Sequence, residues 1–194
     1  MRIFIKISLI FIPICSFSQS IKILNDKLID NFYFHSISDL ETTDNAYYIL
    51  GIERKENINN NNYFLTVIDK SYNLISQKEL ILDNPELNIQ DIAVSDKNDI
   101  CGFGSLFTDD DKVINCAICY DNSLTKKWEL YLNEKYEGSI NGFYHNRLYY
   151  VITNDTETYL IYRIDNNGNI KDSLKLDSGF AETLENIKVT ENGF

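Results

Sequence analysis

An all-β chain built from serial copies of one four-stranded antiparallel unit is the fold this sequence predicts, and three observations carry it. Segments with similar beginnings recur along the chain at near-constant spacing. Each recurrence holds short runs rich in Ile, Val, Tyr and Phe, parted by Asn, Asp, Gly and Lys. No stretch combines a helical period with a capping signal; residues 178–187 come nearest and read as a loop entering a strand. Composition sets the frame: of 194 residues 44% are hydrophobic and 13% aromatic, enough to bury a core and to exclude a disordered chain. A formal charge of -11 repels phosphate backbones and anionic lipid, so no nucleic-acid role is expected.

The elements follow in chain order. Residues 1–18 join a short basic start (Arg2, Lys6) to the apolar run Ile7–Ile14 and a small-residue exit, Ser16-Phe17-Ser18. That is the pattern of a secretory signal peptide, and cleavage after Ser18 would leave Gln19 first. A lipoprotein reading would cut before Cys15, but Ile14 stands where such sites have a small residue. No later run reaches transmembrane length, so the exported chain is expected to lack a membrane span and to reside outside the cell or in the envelope of a bacterium. Residues 19–36, with Ile21-Lys-Ile-Leu24 and Phe32-Tyr-Phe34, are expected to form an N-terminal strand segment.

Four similar starts then appear: Ile37-Ser-Asp39-Leu40, Ile89-Gln-Asp91-Ile92, Ile140-Asn-Gly142-Phe143 and Leu184-Glu-Asn186-Ile187. An Asn-containing turn and an aromatic or aliphatic run follow each one. In the complete units an apolar stretch then ends in Asp69, Asp121 or Asp165, and one more short alternating segment closes the unit. The predicted units are therefore 37–88, 89–139 and 140–183, with 184–194 starting a fourth. Runs such as Tyr47–Leu50 and Val113–Tyr120 are apolar on both faces, as in a sheet packed between two others; a sandwich with one wet face would alternate more cleanly. A repeated four-stranded meander of this length points to a β-propeller-like array of antiparallel blades. Three blades and part of a fourth are too few to close a ring, so the expectation is an incomplete array, the N-terminal part of a longer protein with further blades of its own.

The pattern resembles the blade repeats of secreted bacterial β-propeller proteins, the loose group with YVTN-type and WD40-like repeats. The resemblance covers residues 37–194, although the Gly-His and Trp-Asp signatures of true WD40 repeats are missing and Trp128 is the sole Trp. It implies an architecture, and with it the C-terminal sorting module for type IX secretion that such relatives often carry.

Candidate chemistry is sparse. Asp39 and Asp91 occupy equivalent places on the first strand of successive units, with Gly142 and Asn186 at the later places. If that strand lines a channel, Asp39, Asp91 and Asn186 could belong to a polar ring that binds a cation or a sugar. The plainer reading, solvated residues near a strand end, remains the preferred one because convergence is not visible in a sequence. Cys116 and Cys119 have the spacing of a redox or zinc half-site, but in a strand they point to opposite faces, and no second Cys or His pair completes a metal site. A hairpin turning about Asp110 would set Cys101 opposite Cys119, where export would permit a disulfide. Asp165–Asn169 lacks the Gly and Glu positions of a calcium loop and reads as a turn, and Gly102–Ser105 lacks the context of a nucleophile elbow. No metal and no cofactor is expected. Trp128 is expected to anchor packing between units. The function expected is an exported, non-enzymatic binding or surface scaffold recognising an extracellular protein or glycan. The alternatives are a propeller-type glycoside hydrolase or lyase, and a ligand-free structural module of a larger surface protein.

Overall fold

A computed structural model describes residues 36–54, 61–107, 112–132, 140–154 and 158–177, and its regular structure is strand throughout, with no helix among the described residues. Twelve strands fall into three sheets. The first holds β1 (Ser36–Thr42), β2 (Ala46–Arg54), β3 (Asn61–Asp69) and β4 (Leu74–Leu80). The second holds β5 (Leu87–Val94), β6 (Ile100–Phe107), β7 (Val113–Tyr120) and β8 (Lys126–Tyr131). The third holds β9 (Ile140–His145), β10 (Leu148–Asn154), β11 (Thr158–Asp165) and β12 (Ile170–Asp177). Each is an antiparallel meander with its strands in sequence order, as the predicted units require. The boundary expected between residues 88 and 89 cuts into β5, because Leu87 and Asn88 already pair with Leu106 and Ser105. The proposed signal peptide, most of the segment 19–36, the acidic tip Asp109–Asp111 and the fourth start with Asn186 lie outside the described residues.

One turn, built three times, joins the third strand of each sheet to the fourth. The Asp that ends the strand, or in the second sheet directly follows it, accepts two backbone amides through one carboxylate oxygen: Asp69 from Ser71 and Asn73, Asp121 from Ser123 and Thr125, Asp165 from Asn167 and Asn169, all at 2.8–2.9 Å. Three residues past each Asp the chain takes positive φ, at Tyr72 (64°), Leu124 (61°) and Gly168 (82°). The short side chain of Asp can reach the amides of its own turn, and this explains why the motif is legible as an apolar run ending in Asp.

The middle sheet buries both faces, and the parity of its strands sorts side chains between the neighbours. Ile100, Cys116, Ile118 and Tyr120 join Tyr48, Leu50, Tyr63 and Leu65 of the first sheet in one core. Cys101, Phe103, Ala117 and Cys119 join Ile140, Tyr149, Val151 and Ile164 of the third sheet in another. Polar anchors cross the first seam: the Tyr63 hydroxyl donates to Asn88 Oδ1 at 2.9 Å and accepts from the Ile89 amide at 3.1 Å. At the second seam Trp128 stands edge-on to Tyr149, donates its indole N–H to the Asn166 carbonyl at 3.1 Å, and lies against Gly168. As expected, Trp128 is an inter-sheet anchor. β5 runs beside both β1 and β9, so neighbouring sheets meet at their first strands.

Gly168 satisfies two constraints together. Its φ of +82° disfavours a side chain, and a Cβ there would sit 2.8 Å from the Trp128 ring. Gly168→Ala is expected to cost about 2 kcal/mol, lowering the thermal midpoint by about 5 °C and shifting Trp128 emission. Thermal unfolding followed by fluorescence measures both, and an unchanged midpoint would show that the indole is not seated against the turn.

Candidate functional site between the first strands

The two aspartates singled out by the sequence meet where the first strands of neighbouring sheets approach. In β1 and β5 the ladder slips by one residue, at Ser38 and at Gln90, and the Asp follows each slip directly. A β-bulge interrupts the pairing and leaves backbone donors without ladder partners. Asp39 Oδ1 accepts the Leu40 amide at 2.7 Å, and Asp91 Oδ1 accepts the Ile92 amide at 3.0 Å. The other carboxylate oxygen reaches across to the next sheet: Asp39 Oδ2 accepts the Ile92 amide at 2.9 Å, and Asp91 Oδ2 accepts the Gly142 amide at 2.7 Å. Ser38 Oγ adds a bond to the Gln90 carbonyl at 3.2 Å.

The third sheet breaks the series for a steric reason. β9 pairs with β10 without a slip, and Gly142 takes the place of the Asp. A Cβ on Gly142 would lie 2.2 Å from the ring of Phe103, which is fully buried on the second sheet. Phe103 therefore claims the space, and the backbone of Gly142 is free to donate to Asp91. Neither Phe103 nor Ser38 was singled out from the sequence. The failing match at the third start, Gly where two units have Asp, was the available signal.

Asp39 Oδ2 and Asp91 Oδ1 accept the same Ile92 amide, which brings the two carboxyl groups near each other. Burial first, then the neighbouring Asp39 carboxyl, pushes the Asp91 carboxyl up to about 7, against the downward pull of the Gly142 and Ile92 amides. Glu41 is raised as well, by burial first and by the charge of Asp39 second. The arrangement holds a proton on Asp91 up to about neutral pH. Its capacity for a ligand is restricted because the carboxylate oxygens already hold backbone amides, and no cluster of three metal-ligating side chains occurs among the described residues. Asn186, the third member of the expected ring, lies outside the described residues.

The other candidates sit in strands. Cys101 pairs directly with Cys119 across the ladder, and Cys119 Sγ lies 3.6 Å from the Tyr149 hydroxyl. All three cysteines of the described residues are free thiols and buried. Burial raises Cys101 and pushes Cys116 up to about 12, whereas the hydrogen bond from Cys101 pulls Cys119 down against its burial. Cys116 and Cys119 face different cores, as their spacing in a strand requires. Ser105 is buried in β6 and donates to Asn115 Oδ1 at 3.0 Å, so Gly102–Ser105 forms no nucleophile turn. Compared with protein-family models and with curated proteins, the sequence matches none.

The carboxyl pair carries a sign that can be measured. Asp91 takes up its proton near 7 when folded and near 3.8 when unfolded, so between those values the folded chain holds more protons and stability falls as pH rises. Asp91→Asn keeps an acceptor for Gly142 and supplies a donor to Asp39. It is expected to raise the thermal midpoint at pH 8, leave it nearly unchanged at pH 5, and flatten the slope between. Asp91→Ala loses the bond to Gly142 and is expected to lower the midpoint at both. Melting curves across pH 4–9 read the three proteins, and equal slopes in wild type and Asp91→Asn would refute the raised Asp91 carboxyl.

Proposed function

We propose that the chain is an exported, non-enzymatic binding or surface scaffold, and that its three sheets are successive blades of a β-propeller-like array. The observation that carries this reading is the repeated seam. Asp39 engages the second sheet at Ile92, and Asp91 engages the third at Gly142, through the same side chain from the same strand position. A head-to-tail contact that recurs in this way turns each sheet about a common axis, as in radially repeated sheets. Meeting at first strands while both faces of the middle sheet are covered is the packing such an axis requires.

The chemistry of the site supports binding over catalysis. A glycosidase holds two carboxyl groups about 5–9 Å apart on either side of the scissile bond. Asp39 and Asp91 accept the same Ile92 amide and Asp91 also holds that of Gly142, so their oxygens are turned to the backbone and do not flank a sugar linkage. The thiols are buried, and the described serine of the Gly-rich run points into a core. An extracellular protein or a glycan is the partner class that this reading assigns to the exposed loops.

Export and inertness are tested together. A tagged chain expressed in its host should appear in the envelope or medium with Gln19 at its N-terminus, and should release no reducing ends from a panel of polysaccharides. Recovery from the cytoplasm with Met1 intact would refute export, and hydrolysis abolished by Asp91→Asn would favour the enzyme. The cysteines give a second measure of compartment. In an oxidising compartment the thiols of Cys101 and Cys119, directly paired across the ladder, are expected to pass two electrons to the disulfide of a thiol oxidase and to close a bond. Alkylation of the unfolded, unreduced exported protein should then label Cys116 and leave the other two unlabelled. Three labelled thiols would refute the disulfide.

A further inference from the structure

We propose that a cleft between the first and second sheets binds a single neutral aromatic ring that carries an N–H donor. The cleft has a volume of about 260 Å³, at the small end for ligand sites, so its capacity is one fused ring and little more. Its walls are apolar, with Leu65 and Val67 on one side and Ile100 and Leu124 on the other; Tyr48, Ser76, Asn98 and Asn122 supply polar groups, and no charged residue lines it. The Tyr48 hydroxyl donates to Asn98 Oδ1 at 3.1 Å and so fixes one side of the opening.

The second seam shows what fits such a space. Relative to the Asp that begins the turn, Ser76 of β4 and Trp128 of β8 hold the same place: Ser76 pairs with Val67 and Trp128 with Cys119, each two residues before Asp69 or Asp121. Trp128 packs across its seam on three residues, Tyr149, Asn166 and Gly168. The same count from the turn Asp makes Asn122 and Leu124 the counterparts of Asn166 and Gly168. Ile100 is the counterpart of Tyr149, since each pairs with the residue before that Asp. Ile100, Asn122 and Leu124 all line the cleft, together with Ser76. The first seam thus has a serine in place of the indole and Leu124 in place of Gly168, whose missing side chain admits Trp128 to its turn. A ring entering there cannot lie on the turn as Trp128 does; it would sit beside the Leu124 side chain, between it and Val67, and donate its N–H to the Asn122 carbonyl. The inference uses the first seam alone and stands whether or not the sheets belong to a propeller.

The probe is indole, titrated into the ¹⁵N-labelled chain while the side-chain amides of Asn98 and Asn122 are followed by NMR. Saturable shifts in the millimolar range are expected, as suits a fragment of this size. 1-Methylindole, which cannot donate, should bind about fivefold more weakly, the worth of one hydrogen bond. Ser76→Trp fills the cleft with the chain's own ring and should abolish the shifts; Ser76→Phe serves the same purpose if the larger residue fails to fold. N-Acetyltryptophanamide separates two sources of the ligand, and either supporting result is informative: tighter binding than indole assigns the cleft to a tryptophan side chain of a peptide, weaker binding to a free small molecule. No saturable shift up to the solubility of indole would overturn the proposal. So would equal affinity for 1-methylindole, or binding that survives in a folded variant with the cleft filled.

Discussion

Backbone amides at the seams between first strands have to find acceptors, and the carboxylates that supply them hold the sheets in order. A bulge in β1 and another in β5 interrupt the ladders where the next sheet comes closest. Leaving the part-buried Ile92 amide unpaired would cost about 1–3 kcal/mol. Asp39 and Asp91 each accept the amide that follows them with one oxygen and reach the neighbouring sheet with the other. Where the bulge is lacking, in β9, the Asp is lacking too, and Phe103 occupies the space over Gly142. Bulge, carboxylate and inter-sheet contact form one device.

That device sets two carboxyl groups on one amide, with an electrostatic consequence. Burial disfavours the ionised form and the neighbouring Asp39 carboxyl adds to the resistance, so Asp91 keeps its proton far above the usual carboxylate range. A shifted acid in a cleft is an ordinary mark of catalysis. Here the surroundings argue for the structural reading, because every observed partner of Asp91 is either a backbone amide or Asp39.

The two seams solve one packing problem with different side chains. The first relies on tyrosine hydroxyls pinned to asparagines, Tyr63 on Asn88 and Tyr48 on Asn98. The second relies on an indole, a thiol pair and close approach at glycine. Similar strands can therefore carry unequal interfaces, and Ser76 lines an open cleft at the place in the first sheet that Trp128 holds in the second.

By itself the sequence determined the local features: three meanders of strand length, the Asp that begins each third turn, and the doubly apolar middle strands whose parity divides two cores. These are legible because each depends on residues near in the chain, a strand period of two or an Asp within reach of its own turn. It also marked Asp39 and Asp91 as equivalent, and set Cys101 against Cys119 from the symmetry of one hairpin. Only the tertiary structure decided that those aspartates bind amides about fifty residues away, that Gly142 answers to Phe103, and that Gly168 answers to Trp128. Each of these depends on how far one sheet is displaced and rotated against the next. That relation is fixed by side-chain volume across the seam and leaves no period in the sequence to read.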